Sequence, residues 1–291
     1  MKFYLSEVLG CGSDCKVFKA QNLSDSQECS IKLAASLYAR QFHNEISMLS
    51  LLQGCRGVPE VLGFGVLMPA NLPAFATNVV GFPLDTYVRI HGTKQLKCIV
   101  DRLLEALKSI HNLGVVHRDV KPENIIVTNE GTPFLIDFGL ACFVKEKDPR
   151  LQSSALRQLL KKRLRQCGIT QDEFALVNHL EQSRVSKWMA GKIQKSSSNE
   201  NAALDFLYPY RQQWDPRAPN GTEGFLSRNA WDGSSPKCSD DYESLCLTVA
   251  TVEGICNPYK GDQYHFAEDF IPKSKLVKYI SEQAKLISTT K

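Results

Sequence analysis

Short runs rich in apolar residues, with one stretch of helical spacing among them, make the first eighty positions read mainly as strands around one helix. Strands are expected at Tyr4–Leu9 and Lys16–Ala20, on either side of a glycine-containing turn, and at Cys29–Leu33. From Ala39 to Leu52 the spacing changes: Phe42, Ile46, Leu49 and Leu52 fall on one helical face, with Gly54 placed to end the helix. Two more strands fit Val61–Val66 and Ala74–Val80. The middle of the chain is helical, because Leu96, Ile99, Val100, Leu103, Leu104, Leu107 and Ile110 recur at helical intervals up to Gly114. Short strands at Ile125–Val127 and Phe134–Ile136 follow a polar loop. A small sheet-rich part followed by a helical part predicts a two-lobed α+β architecture.

After Gly139 the pattern breaks. Residues 143–212 run from basic and helical sequence into a Ser/Asn-rich stretch, Ser196-Ser197-Ser198-Asn199, that reads as a linker. Thr170-Gln171-Asp172-Glu173 is a capping box, with Ile169 and Phe174 placed to form its hydrophobic staple, so a short helix starts there. A second is expected from Ser183 to Ala190, stopped by Gly191. Charge sharpens the boundary. The whole chain carries a net +4, whereas Lys145–Lys195 holds 12 Lys/Arg against 5 Asp/Glu, a net of +7.

Composition narrows the setting. With 43% hydrophobic and 23% charged residues the chain is ordinary for a globular protein. No apolar stretch is long enough to span a bilayer, and the first residues lack the apolar core of an export signal. The ten cysteines are scattered without a C-x-x-C pair. They are expected to be free thiols in a reducing, intracellular setting, cytoplasm or nucleus, away from membranes.

The chemistry concentrates in a few places. Gly10 and Gly12 sit between the first two strands, where a backbone without Cβ atoms can approach phosphate oxygens, although a glycine hairpin turn gives the same pattern. Lys32 and Glu45 are single charges on the next strand and helix. The specific signal is His117-Arg118-Asp119-Val120-Lys121-Pro122-Glu123-Asn124, followed by Asp137-Phe138-Gly139. Phosphoryl transfer needs a carboxylate to orient a hydroxyl, cations over the phosphates and oxygen ligands for a metal. Asp119 offers the carboxylate, Lys121 a cation, and Asn124 and Asp137 the metal ligands.

These residues resemble the protein kinase superfamily over about residues 1–142 and 218–260. The resemblance implies ATP and Mg²⁺ as cofactors, Asp119 as catalytic base with Lys121 and Asn124, and Asn124 and Asp137 as metal ligands. It places Leu9, Gly10, Gly12, Val17, Lys32, Glu45, Thr77, Asn78 and Val80 around the nucleotide, with Thr77 as gatekeeper and residues 78–81 as hinge. Lys121, two residues after Asp119, implies Ser/Thr hydroxyls of protein substrates. Residues 41–45, 53–59 and 221–229 are similar to the casein kinase 1 group, and residues 216–218 to cell-division-cycle 7 kinases. Asp241 would brace the catalytic loop. Three positions depart from the pattern: Cys15 stands for the third glycine, Asn229 for an acidic residue, and Cys246 for a glycine. Only 50 residues follow Asp241, so a shortened helical lobe is expected.

Residues 151–191 resemble the repressor-like helix-turn-helix fold, with Phe174, Ala175, Leu180, Val185 and Trp188 as its core. In its turn His179 stands where glycine is usual, and Asn178 is a residue that tolerates the left-handed conformation. Ser153–Gln166 would be a preceding helix. That likeness implies Gln182, Ser183, Ser186 and Lys187 facing a major groove, with Lys161, Lys162 and Arg163 at phosphates. An αα-hairpin that regulates the kinase, its basic face simply solvated, fits the same pattern. The expected organisation is a kinase N-lobe and hinge at 1–81, the first portion of the C-lobe at 82–147, an inserted all-α module at 148–212 and the rest of the C-lobe at 213–291. The function expected is ATP-dependent Ser/Thr protein phosphorylation. The alternative is a kinase-like scaffold whose insert binds nucleic acid.

Overall fold

The computed structural model describes residues 2–12, 15–35, 40–67, 72–143, 156–158, 160–161, 164–165, 170–194, 196, 198–200, 202–203, 221–256 and 267–289. The chain forms two compact units: Met1–Lys145 with Pro216–Lys291, and Glu146–Asp215.

The first unit opens with an antiparallel sheet of β1 (Phe3–Cys11), β2 (Cys15–Asn22), β3 (Glu28–Ala34), β4 (Val61–Leu67) and β5 (Leu72–Thr77), in the order β1-β2-β3-β5-β4. One helix, α1 (Arg40–Leu51), packs on this sheet by placing Phe42 against Phe75, ring centres 5.2 Å apart. β5 stops at Thr77 rather than running to Val80. The reason is Asn78, whose N–H donates to Glu60 O at 3.1 Å while its amide oxygen accepts the Glu60 N–H at 2.9 Å. Those bonds turn the chain out of the sheet.

The second lobe begins with β6 (Phe82–Pro83), α2 (Leu84–His91) and α3 (Leu96–His111). α2 has no counterpart among the expected helices, since Leu84, Tyr87 and Val88 make too short an apolar stripe to stand out. α3 buries its predicted stripe from Leu96 to Ile110. β7 (Val115–Val116), β8 (Ile125–Val127), β9 (Pro133–Leu135) and β10 (Cys142–Phe143) form two small sheets, β6-β8-β9 and β7-β10. β9 ends before Ile136, whose N–H is drawn to Asn124 O at 2.9 Å.

After the second unit the lobe resumes. It contains α6 (Arg228–Trp231), α7 (Cys238–Val252) and, closing it, α8 (Lys275–Thr289). α8 buries Val277 and Ile280, and the Cys246 thiol of α7 lies 3.8 Å from Val277 O. Cys246 therefore fills the α7–α8 seam, and burial pushes its thiol up to about 12, which leaves it chemically quiet. All cysteines among the described residues are free.

In the second unit, α4 (Gln171–Val177) and α5 (Gln182–Met189) are joined by a tight turn. The capping box is present: the Thr170 hydroxyl accepts Glu173 N–H at 3.2 Å, and Glu173 Oε2 accepts Thr170 N–H at 2.7 Å. At the turn the left-handed residue is His179, at φ 53°, and not Asn178, which sits at φ −95°. Asn178 instead uses its side chain to bond Phe174 O at 2.8 Å. Leu156, Leu160, Leu164, Phe174, Ala175, Val185, Trp188, Met189, Ala202 and Ala203 form the unit's own core, with Leu180 partly buried against it. α5 starts one residue before the expected Ser183. Residues 156–158, 160–161 and 164–165 are helical, while Ser153, Lys162, Arg163, Gln166 and Ile169 lie outside the described residues.

Because Trp188 is 0% exposed in that core, Trp188→Ala is expected to cost the unit about 3–5 kcal/mol. Amide hydrogen exchange over α4 and α5 should accelerate while exchange over α7 stays slow. Unchanged protection of α4 and α5 would disprove the assignment of this core.

Candidate active site

The catalytic loop lies between β7 and β8, and α7 holds it in place. Asp241, fully buried in the first turn of α7, accepts His117 N–H and Arg118 N–H, each at 2.8 Å, and contacts His111 Nε2 at 2.8 Å. Burial works to raise the Asp241 pKa, but the hydrogen bond and charge of His111, together with the loop's groups, hold it below the usual carboxylate range. Arg118 adopts φ 71°, so the chain turns sharply just before Asp119.

Asp119 is buried, and each of its oxygens accepts two hydrogen bonds. Oδ1 takes the Thr222 N–H at 2.9 Å and the Thr222 hydroxyl at 2.8 Å. Oδ2 takes Asn124 Nδ2 and Lys121 Nζ, both at 2.8 Å. Lys121 Nζ also donates to Thr222 Oγ1 at 2.6 Å. Thr222 thus ties the returning segment to the catalytic loop, a role the sequence reading did not assign to it. Gly221 makes that approach possible. It holds φ 141°, and a Cβ there would lie 2.7 Å from Arg118 O.

A second charged cluster faces the loop from the sheet. Lys32 Nζ lies 2.5 Å from Glu45 Oε2 and 3.2 Å from Asp137 Oδ1. Burial works to lower the Lys32 pKa, but the two carboxylates hold the ammonium well above its ordinary value. Burial pushes the Glu45 carboxyl up to about 7, against the pull of Lys32. Burial also works against ionised Asp137, yet Lys32 outweighs it and keeps that pKa below its ordinary value. The catalytic loop meets this cluster through His117, whose Nε2 lies 2.9 Å from Ile136 O and whose ring is 4.7 Å from that of Phe138.

The donor set fits Mg²⁺, a hard cation that takes oxygen ligands and is held by one or two protein oxygens plus substrate phosphates. Asp137 is an ionised carboxylate. Asn124 commits its amide nitrogen to Asp119 O at 2.9 Å and Asp119 Oδ2, which leaves its amide oxygen available to a cation.

The residues expected around the nucleotide fall along the sheet. Val17 pairs with Lys32 and Gly10 with Val17, so these positions line up across β1, β2 and β3. Leu9 sits in a register shift and is 43% exposed. Gly12 closes the hairpin by donating to Cys15 O at 2.9 Å. Thr77 is buried, with its hydroxyl 2.8 Å from that of Ser30. Val80 is half-buried, and Asn78 has given its N–H and side-chain oxygen to Glu60. Asn229, where the resemblance has an acidic residue, donates to Ser235 O at 2.8 Å and Asp240 Oδ2 at 3.0 Å. In the second unit, Gln182, Ser183, Ser186 and Lys187 are exposed on α5 and Lys161 is half-buried.

The raised Glu45 pKa makes a stability prediction. The folded protein holds this proton more tightly than an unfolded carboxyl at 4.5. Its contribution is therefore full below about pH 4.5 and lost as pH rises through about 7. Glu45→Gln should flatten that part of the pH–stability curve in denaturant titrations. Parallel curves for the two proteins would rule it out.

Comparison with known proteins agrees with this geometry. A protein kinase domain model matches residues 3–158, more than half of the 291 residues. A probable casein kinase I homolog of Encephalitozoon cuniculi is 28% identical over 147 residues, which is 48% of this chain and 46% of the relative. Serine/threonine-protein kinase KIC1 of Saccharomyces cerevisiae is 31% identical over 159 residues, 53% of this chain and 15% of the relative. Casein kinase I homolog 1 of Schizosaccharomyces pombe is 28% identical over 148 residues, 47% and 33% of the two chains. The matched region spans less than half the length of each of these relatives. The chain belongs to the protein kinase family.

Proposed function

We propose that the protein is an ATP-dependent serine/threonine protein kinase. The observation that carries this reading is the pairing of two clusters: Asp119 held by Lys121, Asn124 and Thr222, and Lys32 bridging Glu45 and Asp137. Lys32 would hold the nucleotide's inner phosphates, and Asn124 and Asp137 would hold Mg²⁺. When bound, that ion supplies positive charge against the phosphate oxygens. Asp119 would orient the substrate hydroxyl and accept its proton. Since both Asp119 oxygens are already engaged, one donor must yield when the hydroxyl arrives. Lys121 is suited to do so, because its ammonium can swing from Oδ2 to the transferring phosphoryl group and neutralise it there.

Beside the catalytic loop a cavity of about 470 Å³ carries Asp85 and Glu123 and, among the described residues, no cationic side chain. Test peptides should therefore include basic as well as acidic flanks. With Mg²⁺ and labelled ATP, Asp119→Asn is expected to lower kcat by about 10²–10⁴-fold, with little change in KM for ATP. Equal transfer by the two proteins would remove the kinase reading and leave the scaffold alternative.

A second reading concerns the inserted unit: we infer that α5 is a duplex DNA contact. Val185, Trp188 and Met189 turn inward, and Gln182, Ser183, Arg184, Ser186 and Lys187 are left on the solvent face, with Lys192 exposed just beyond. Short polar side chains between cations suit base edges and phosphates respectively. Glu181, also exposed, is engaged by the Ser183 hydroxyl. In anisotropy titrations the full chain should bind a duplex of about 20 base pairs, roughly two helical turns, with affinity falling steeply as salt rises. Arg184→Ala and Lys187→Ala should each reduce the log–log salt slope by about 1. No binding at low salt, preference for single-stranded RNA, or a slope untouched by both substitutions would end this reading.

A further inference from the structure

The third cluster around Asp137 contains no charge. Asn44, on α1 next to Glu45, points its amide nitrogen at the turn that follows Asp137. Nδ2 lies 2.9 Å from Gly139 O, 3.0 Å from Ala141 O and 3.4 Å from Phe138 O. An amide nitrogen has two hydrogens, so the two short contacts each take one and Phe138 O shares. Phe138 O also receives the Ala141 N–H at 3.1 Å, whereas Gly139 O and Ala141 O stand at the end of a single 3-10 turn that cannot satisfy them internally.

What this amide holds is a conformation that does not hold itself. Asp137 sits in the left-handed region at φ 61° and ψ 69°. A non-glycine residue keeps such a conformation only where its surroundings over-determine it. α1 supplies the surroundings from one face. Gln41 lies so close that a Cβ on Gly139 would stand 3.1 Å from Gln41 Cβ and 3.3 Å from Gln41 O. Glu45 accepts a backbone hydrogen bond from Phe138. Phe42 fixes the opposite side of the helix to the sheet.

We propose that Asn44 is a positioning residue for phosphoryl transfer: its amide latches α1 to the Phe138–Ala141 backbone and so fixes the Asp137 carboxylate in its metal-binding orientation. This deepens the kinase reading and rests on it for its consequence in catalysis. Asparagine suits the place because aspartate would set a carboxylate against two or three carbonyl oxygens, and leucine, of similar shape, has no donor.

The test uses the full chain as Asn44→Leu and Asn44→Asp. Amide exchange over residues 137–143 should become at least about tenfold faster in both, while exchange over α7 stays unchanged and reports an intact fold. Binding of a non-hydrolysable ATP analogue should weaken about tenfold or more with Mg²⁺ present and by less than about threefold without it. Asn44→Leu combined with Asp137→Asn should bind no more weakly than Asp137→Asn alone, since coupled residues are not additive. Unchanged exchange, an undiminished gain from Mg²⁺, additive losses in the double variant, or a wild type that gains nothing from Mg²⁺ would each overturn the latch. None of these readouts needs phosphate transfer. A wild type that binds nucleotide with Mg²⁺ but phosphorylates nothing would count against the kinase reading alone.

Discussion

The site depends first on a carboxylate that performs no chemistry. Asp241 lies fully buried at the start of α7 and receives the N–H groups of His117 and Arg118. Those two amides precede Asp119, and Arg118 between them is left-handed. Without a buried acceptor both amides would lose their partner, and each unsatisfied group costs about 1–3 kcal/mol. The turn would open and Asp119 would move with it. Further along α7, the Thr248 hydroxyl, which donates to Ser244 O at 2.8 Å, shares its proton with Val120 O at 3.2 Å, so the helix touches the loop on both sides of Asp119. α7 is the template on which the loop is cast.

From that template the contacts run in one direction across the cleft. His117 reaches Ile136 O and stacks edge-on against Phe138, which places the Asp137 segment relative to the loop. Asp137 meets Lys32, and Lys32 meets Glu45, so the sheet and α1 receive their position from the same chain of bonds. Lys32 and Glu45 are largely withdrawn from water, where a missing partner is expensive, whereas the Asp137 side chain stays 40% exposed. Charge alone does not close the series, because two carboxylates share one ammonium. The neutral amide of Asn44 adds attachment between α1 and the turn without adding a third charge.

How much of this could be read beforehand follows from where each partner lies in the sequence. His117–Asn124 and Asp137–Gly139 were legible because the chemistry needs several residue types within a few positions of one another. The stripe of α3 and the capping box at Thr170 were legible because a helix repeats its neighbours every three or four residues. Thr222 was not, since it bonds Asp119 from 103 residues away and a lone threonine carries no local signal. The end of β5 was missed for a similar reason: Asn78 leaves the sheet to bond Glu60, and the apolar pair Val79-Val80 follows the point where pairing stops. Between α4 and α5 the helix-turn-helix likeness puts His179 at the usual glycine position, and His179 is the left-handed residue there while the Asn178 side chain caps its own helix. In each miss a tertiary partner overruled a local preference.

The position of the insertion follows from the same bonds. The first unit leaves off just after Cys142 and Phe143, which pair with Val116 and Val115, and its described residues resume at Gly221 and Thr222, which dock on Arg118 and Asp119. Both ends are therefore fixed within the first unit by contacts that owe nothing to what lies between them. The inserted residues bring their own core around Trp188. Closing a longer excursion costs little, about 0.6 kcal/mol for each doubling of its length. An insertion between Asp119 and Asn124 would be a different matter, because it would separate side chains that bond at 2.8 Å. The chain accommodates a second unit where the site's geometry is already closed on either side, and not inside the loop that holds Asp119 and Asn124.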